Sequence, residues 1–154
     1  MSNEIFIRQL RTTEPIPYSL LLLADEEMQA IERYIHASAI YIAEMEDKAI
    51  GVYALYPLNE RQAEIKAIAV DDDYQNRGIG KQLLQHAATV ARKAGFKELL
   101  IGTPTIALKQ LSIYQKAGFT WFDTKKDFFV TSYTQLIYED GVQLRDMAML
   151  KKIL

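Results

Sequence analysis

The chain has 154 residues, of which 49% are apolar, and a formal net charge of −2. These values suit one domain over residues 1–154 and give no basic footprint for nucleic acid or for an acidic membrane surface. Cysteine is absent and histidine occurs twice, which excludes disulfides and thiolate metal sites and argues against a histidine-rich metal site. The longest apolar run, residues 20–24, is too short to span a membrane, and the first residues do not resemble a signal peptide, so we expect a cytoplasmic protein.

Local patterns predict a strand, two helices and a three-stranded meander in the first half of the chain. Residues 4–11 alternate in polarity as a strand does. Residues 18–24 predict a short apolar helix, and Asp25 suits the N-cap of a second helix over residues 25–37. Residues 46–48 suit a short hairpin connection between the first two strands of the meander. The three meander strands are predicted over residues 39–45, 49–56 and 62–70.

The second half predicts a long helix, a buried strand, a second helix and two strands. Residues 78–94 carry a continuous apolar stripe at helical spacing, and Gly95 follows as a C-terminal cap. Residues 99–101 are apolar on both faces, as in a buried parallel strand. The remaining elements are a helix over residues 107–117 and strands over residues 119–130 and 142–154, with Asp140-Gly141 as a turn. This order, β-α-α-β-β-β-α-β-α-β-β, predicts a mixed α/β (α+β) fold with a central mixed sheet of about seven strands and its parallel pair at the centre.

The stretch between the third meander strand and the long helix, residues 73–81, predicts an anion-binding loop. Gly78 and Gly80 let the backbone turn tightly, so that several N–H groups can point the same way. The helix that follows adds its unpaired N-terminal N–H groups and the positive end of its dipole, which suit phosphate oxygens. A loop in which the glycines only turn a corner has the same spacing, and the spacing alone leaves that alternative open.

Two nucleotide-binding templates do not fit this loop. The P-loop requires Ser or Thr after Gly80-Lys81 and a glycine five residues before Gly80, but Gln82 and Gln75 occupy these positions. The dinucleotide fingerprint requires a third glycine where Leu83 stands. A nucleotide-binding protein is therefore disfavoured. The pattern that remains is Gln-x-x-Gly-x-Gly at the start of a helix that follows a strand.

Two separate motifs extend this pattern. Residues 75–80 read Gln-Asn-Arg-Gly-Ile-Gly after the strand of residues 63–70, and residues 111–119 carry leucine-x-x-tyrosine followed by glycine-phenylalanine. They resemble the acetyl-CoA motif, Gln/Arg-x-x-Gly-x-Gly/Ala, and the second signature of the GNAT superfamily of N-acetyltransferases. The matching element order covers residues 4–154. A closer likeness to small single-domain bacterial members of the family rests on residues 15–18, 20–25, 127–129 and 141–147.

The resemblance implies an N-acetyltransferase domain that binds acetyl-CoA as cosubstrate, needs no metal, and acetylates a primary amine of a small molecule or peptide by direct attack. Tyr114, at the tyrosine of the second signature, is expected to protonate the departing thiolate, with a packing role as the alternative. Glu64 on the preceding strand is expected to deprotonate the amine, with a solvent-facing or water-anchoring role as the alternative. Backbone N–H groups at the end of that strand, freed by a bulge or a splay, would stabilise the oxygen of the tetrahedral intermediate.

The expected coenzyme contacts combine the strand end, the glycine loop and one threonine. Thr103 or Thr105 stands where many members of the family carry an asparagine that contacts the coenzyme. The expected set is Ile68, Ala69, Val70, Gln75, Asn76, Arg77, Gly78, Ile79, Gly80, Lys81 and Thr103.

The acceptor side and the assembly are less defined by the sequence. We expect the amine pocket between the helices of residues 18–37 and the late strands. The pair Glu139-Asp140 is placed to attract a cationic substrate, although a hairpin turn explains it more simply. Six late aromatic residues offer a wall for an amine, although ordinary packing is the better explanation for most: Trp121, Phe122, Phe128, Phe129, Tyr133 and Tyr138. A non-catalytic acyl-CoA-binding or regulatory module is the alternative function, and a homodimer is left open.

Overall fold

The computed structural model describes residues 4–154, which build a seven-stranded sheet flanked by helices. The strands are β1 Phe6–Gln9, β2 Ala39–Met45, β3 Lys48–Pro57, β4 Gln62–Val70, β5 Glu98–Pro104, β6 Thr120–Lys125, β7 Tyr138–Glu139, β8 Val142–Gln143 and β9 Met147–Ile153. The helices are α1 Tyr18–Ala24, α2 Met28–Glu32, α3 Ile79–Lys93, α4 Leu108–Lys116 and α5 Phe128–Thr131, with single 3₁₀ turns at Ile35–Ala37 and Asp72–Tyr74. Within the described residues, no helix has both the length and the apolar character needed to cross a membrane.

The sheet has the order β1-β2-β3-β4-β5-β9-β6, and its central pair, β4 with β5, is parallel. The other neighbours pair antiparallel. The predicted fold class and the central position of the parallel pair are therefore confirmed. Strands β7 and β8 form a separate hairpin around Asp140 and Gly141, whose φ angles of 50° and 80° are those of a tight turn.

Helices cover both faces of the sheet and define two apolar clusters. Helix α3 places Ile79, Leu83 and Ala87 against one face, together with residues of α4. Helix α1 places Leu20 and Leu21 against the other face. The apolar stripe of α3 was visible in the sequence, and its end at Gly95, with φ of 94°, is the predicted left-handed cap.

A bulge in β4 changes which residues face each cluster. Leu55 pairs with Ile65 and Ala54 pairs with Ala67, so Lys66 is the extra residue on β4. As a result Ile65 packs on the α3 side, whereas Ala67 packs on the α1 side.

The parallel pairing of β4 with β5 ends at the level of this bulge, because it extends only from Gln62↔Glu98 to Ile65↔Ile101. Beyond this point β4 continues against β3 and β5 continues against β9, so the two central strands diverge. Alternate backbone groups of each strand then point into the opening instead of into a ladder. This opening positions the site described below.

Three predictions of local structure were wrong: the helix over residues 25–37 and the strands over residues 119–130 and 142–154. The helix expected over residues 25–37 is broken into α2 and a 3₁₀ turn, and Asp25 caps the end of α1 instead of the start of α2. The reason is tertiary, because the Asp25 carboxylate accepts a hydrogen bond from Tyr133 Oη at 2.6 Å. The strand expected over residues 119–130 ends at Lys125, since Asp127 adopts φ of 55° and starts α5.

The strand expected over residues 142–154 is likewise divided. Leu144 lies between β8 and β9 and is buried with Phe129 and Ile137 in a small third cluster. Burial of this side chain in the small cluster interrupts the strand, so only Met147–Ile153 joins the main sheet.

Candidate active site

A groove of about 500 Å³ lies between the carboxyl end of β4, the start of α3 and one face of α4. Ile68, Ala69 and Val70 line it from the strand, and residues 78–81 line it from the start of the helix. The groove therefore begins where β4 and β5 diverge. A concave site at the carboxyl end of a central parallel strand is a common location for ligands in α/β proteins.

The glycine loop at one end of the groove is held in shape by its own side chains. Gln75 Nε2 donates to the backbone oxygen of Val70 at 3.2 Å and to Asp72 Oδ1 at 3.1 Å. Asn76 and Gly78 adopt φ angles of 62° and 79°, and Gly78 immediately precedes α3. A Cβ atom added at Gly78 would meet no heavy atom within 4 Å, because that side of the residue faces open space. The loop thus leaves room for a ligand beside the start of the helix.

The first turns of α3 and α4 contain lysine and no carboxylate. Lys81 on α3 and Lys109 on α4 both line the groove, and Lys116 lines it from the other end of α4. A cation near a helix N-terminus opposes the helix dipole by roughly 0.3–1 kcal/mol, so this arrangement does not favour the isolated helices. An anion in the groove would interact favourably with both helix ends and with the ammonium groups. The arrangement therefore fits a ligand that carries phosphate.

Tyr114 lies on α4 at the inner end of the groove. The residue is 8% exposed, and its ring centroid lies 6.3 Å from that of Phe119. Burial raises the pKa of its phenol to about 12, so the hydroxyl stays protonated at neutral pH. Within residues 4–154 this hydroxyl has no hydrogen-bond partner, so it is available to a ligand.

A second pocket of about 200 Å³ adjoins the groove where the two central strands diverge, and we call it the small pocket. It is bounded by the end of α1, by the diverging parts of β4 and β5, by α4 and by Glu139 of β7. Leu23, Ile68, Gln110 and Tyr114 line both spaces. Tyr114 therefore stands at the junction between the groove and the small pocket.

Glu64 is buried beside the small pocket but does not line it. The residue is 6% exposed, and its Oε1 lies 3.3 Å from Lys66 Nζ. Lys66, the bulge residue, does line the pocket, and its ammonium group lies 5.5 Å from the ring centroid of Tyr56. A proton from the pocket would therefore have to reach Glu64 through Lys66 or through a water molecule.

The structure brings most of the predicted site residues together. The groove is lined by Ile68, Ala69, Val70, Gln75, Asn76, Gly78, Ile79, Gly80, Lys81 and Tyr114. Arg77 lies outside these walls, with its guanidinium 5.1 Å from the ring centroid of Tyr74. Thr103 lines the small pocket instead of the groove.

Sequence reasoning missed most of α4. Gln110 and Ala117 line the groove and lie four residues before and three residues after Tyr114, so helical spacing from that tyrosine would have found them, whereas its neighbour Ile113 could not be found in this way. Glu139, considered above as an attractor for a cationic substrate although a turn explains it more simply, lines the small pocket. None of the six late aromatic residues lines either space, and Phe128, Phe129 and Tyr133 pack on one another instead.

Comparison with known proteins confirms the likeness that the two motifs predict. The model of the acetyltransferase (GNAT) family matches residues 5–119. The N-acetyltransferase YvbK of Bacillus subtilis (strain 168) is 40% identical over 133 residues, which cover 86% of each chain. A GNAT family acetyltransferase from Elizabethkingia anophelis, solved with acetyl-CoA bound, has a TM-score of 0.96 and 40% identity, covering 99% of this chain and 100% of its own. An IAA acetyltransferase from Bacillus cereus ATCC 14579 has a TM-score of 0.92 and 38% identity, covering 98% and 100%.

Proposed function

The chain belongs to the GNAT family of acetyltransferases, and from that premise we propose which of its residues carry out the reaction. It is an N-acetyltransferase that uses acetyl-CoA. The observation that carries the assignment of roles is the position of Tyr114 at the junction of the two spaces. We propose that acetyl-CoA occupies the groove, that the amine enters the small pocket, and that the thioester lies beside Tyr114.

The phosphate groups of the coenzyme would be held at the start of α3 and along α4. Gly78 and Gly80 leave open space there, and neither would bring a Cβ atom within 4 Å of a neighbour. Lys81, Lys109 and Lys116 supply positive charge along the groove. The fit is chemical as well as spatial, since unpaired helix N–H groups and ammonium groups both favour phosphate oxygens. Arg77 stacks on Tyr74 outside the groove walls and would contact the coenzyme from the rim of the groove. Thr103 would contact the coenzyme from the small pocket.

The transfer forms a bond between the amine nitrogen and the acetyl carbon and breaks the bond between that carbon and sulfur. The amine loses one proton, and the coenzyme thiolate gains one. Backbone N–H groups of residues 66–70 that point away from β3 are placed to stabilise the negative charge on the acetyl oxygen.

Tyr114 is the proposed donor to the sulfur. Its pKa of about 12 keeps the phenol protonated but makes it a weaker acid than a free tyrosine. An alkyl thiol has a pKa of about 8.5, so complete proton transfer from Tyr114 to the thiolate is unfavourable by about 3–4 pKa units. Tyr114 therefore acts mainly by donating a hydrogen bond that strengthens as charge develops on the sulfur.

Glu64 remains the proposed base for the amine. Glu64 directly precedes Ile65, which lines the small pocket, and its buried carboxylate is paired with Lys66. The proton would reach it through one intervening group, a distance compatible with general base catalysis. The Glu64→Gln variant should then lower kcat most at the low end of the pH range, where more of the amine is protonated.

The roles can be tested by following thiol release from acetyl-CoA over a panel of amines. The Tyr114→Phe variant should lower kcat by roughly 10–100-fold while the KM for acetyl-CoA stays within about twofold, because only the hydroxyl at the reacting sulfur is removed. Tyr41→Phe is the matched control, since Tyr41 is a partly buried tyrosine on β2 that lines neither space. Unchanged turnover in Tyr114→Phe would refute the role, and stabilisation by acetyl-CoA without acetylation of any amine would favour the non-catalytic alternative.

The cytoplasmic location, the homodimer and the extent of the domain over residues 1–154 remain proposals. The acceptor is also open. The Bacillus cereus relative is named for an acceptor abbreviated IAA, which is therefore one candidate for this chain.

A further inference from the structure

We propose that the acceptor is an aliphatic diamine, with one nitrogen facing Tyr114 and the second, protonated nitrogen paired with Glu139. This inference rests on the proposed function, which places the acceptor amine in the small pocket. It adds the chemical class of the acceptor and the residue that selects it.

Two hydroxyl groups of the small pocket lack protein partners. Thr103 and Tyr114 line the pocket, and among residues 4–154 neither hydroxyl has a hydrogen-bond partner. Both oxygens are accessible through the pocket, because neither is a fully buried unpaired atom. They are therefore available to a polar ligand.

The charges around the pocket favour a cation. Lys66 lines the pocket, but its ammonium group lies 3.3 Å from the Glu64 carboxylate, so these two charges compensate each other. Glu139 also lines the pocket, and within the described residues its carboxylate has no cation within salt-bridge distance. Partial burial of the Glu139 carboxyl raises its pKa, and the nearby charges of Glu26 and Asp140 raise it further. The residue as a whole is exposed on β7. The uncompensated charge of the pocket is therefore negative.

The small pocket offers a reacting end and a charged end to one acceptor. Tyr114 and Glu139 both line it, and it adjoins the groove through four shared residues. An aliphatic diamine carries a nitrogen at each end, one for the reaction and one for Glu139. A four-carbon diamine serves as the probe of this class.

The reaction with such an acceptor is balanced without another reactant. The neutral nitrogen attacks the acetyl carbon, the carbon–sulfur bond breaks, and the proton lost by nitrogen offsets the one gained by the thiolate. The products are a mono-N-acetylated diamine, still protonated at its other end, and free coenzyme A.

Three acceptors of equal length test the proposal: butylamine, 1,4-diaminobutane and 4-aminobutanoate. The expected kcat/KM is about 2–5-fold higher for the diamine than for butylamine, because Glu139 is exposed and an ion pair at an exposed site is worth a factor of about 2–5. The value for 4-aminobutanoate should be the lowest, because its carboxylate faces Glu139.

In the Glu139→Gln variant, the kcat/KM for the diamine divided by the kcat/KM for butylamine should fall to near one. Asp140→Asn is the matched control, because Asp140 sits next in the same exposed turn but does not line the pocket. Asparagine tolerates its φ of 50°. We expect the control to keep most of the preference for the diamine.

The other outcomes overturn the proposal in distinguishable ways. Preference for 4-aminobutanoate would mean that Lys66 binds the far end of the acceptor instead of Glu139. Equal turnover of all three would mean that no charged residue binds that end. Turnover of IAA alone would indicate another acceptor class. In these cases the N-acetyltransferase roles stand and only the diamine is wrong. If acetyl-CoA raises the Tm but none of these amines is acetylated, both the diamine and the proposed catalytic roles fail.

Discussion

Gly78 allows the strain of the glycine loop to be separated from its role in coenzyme binding. Its φ of 79° and ψ of 9° lie in the left-handed region, where alanine costs roughly 1–2 kcal/mol relative to glycine. A chain of this size loses about 2–4 °C of Tm per kcal/mol. Without ligand, the Gly78→Ala variant should therefore melt about 2–8 °C below the parent protein.

The same substitution should also weaken coenzyme binding. Gly78 lines the groove and has open space where a Cβ would stand. The methyl group would either enter the space proposed for the phosphates or force the loop N–H groups to turn away, and we expect the Kd for acetyl-CoA to rise at least tenfold. At 100 times the parent Kd, stabilisation by the ligand would fall from about 2.7 to about 1.4 kcal/mol. The rise in Tm on adding acetyl-CoA should accordingly fall from roughly 5–11 °C to roughly 3–6 °C.

The Gly95→Ala variant is the matched control. Gly95 also has a positive φ, 94°, and open space around its missing side chain, but it lies beyond the other end of the 15-residue α3, about 25 Å from Gly78. It should lose a similar amount of Tm without ligand and keep the full rise with acetyl-CoA, as measured by thermal melting and by calorimetric Kd. If Gly78→Ala kept the full rise, or if Gly95→Ala lost it, the glycine loop would not be the anion site.

Two further predictions concern charge. The Lys109→Met variant should raise the Kd for acetyl-CoA about 3–10-fold and make that Kd less sensitive to salt. Lys97→Met is the control, at an exposed site outside the groove, and should change neither the Kd nor its salt dependence. Equal effects of the two variants would contradict a direct contact between Lys109 and phosphate. Burial raises the pKa of the Asp25 carboxyl despite the hydrogen bond from Tyr133. A raised folded-state pKa favours folding below the unfolded pKa of about 3.9, and this contribution is lost as pH rises through the folded pKa. The Asp25→Asn variant keeps an acceptor for Tyr133. Its urea midpoint minus that of the parent protein should therefore increase from about pH 3.5 to pH 7. A difference that does not change with pH would refute this reasoning.

Features set by local sequence were predictable. The stripe of α3, its cap at Gly95 and the glycine loop of residues 75–81 each depend on residues within a few positions of one another. The loop alone does not identify a ligand, because its sequence is equally consistent with a simple turn. The motif that contains Tyr114 provided the further indication, since it lies at the expected separation and resembles the same family.

Features set by distant partners were not predictable. Asp25 follows the local pattern of a helix start, but its carboxylate accepts a hydrogen bond from Tyr133. Phe128 follows the local pattern of a strand, but it packs in a small cluster outside the main sheet. Glu139 belongs to a hairpin turn by its local sequence. Only the path of residues 126–146 brings its carboxylate to the small pocket.

The bulge at Lys66 shows why the sequence predicted the small pocket only in part, whereas it predicted much of the groove. One extra residue in β4 moves Ile65 and Ala67 to opposite faces of the sheet, and the parallel pairing with β5 stops at Ile65. Nothing in the alternation of residues 62–70 marks that position, because the residues on both faces of the strand are largely apolar. The bulge and the divergence together create the opening in which Tyr114, Thr103 and Glu139 meet. The glycine loop can be recognised from its own residues, whereas the small pocket exists only because one strand departs from regular pairing.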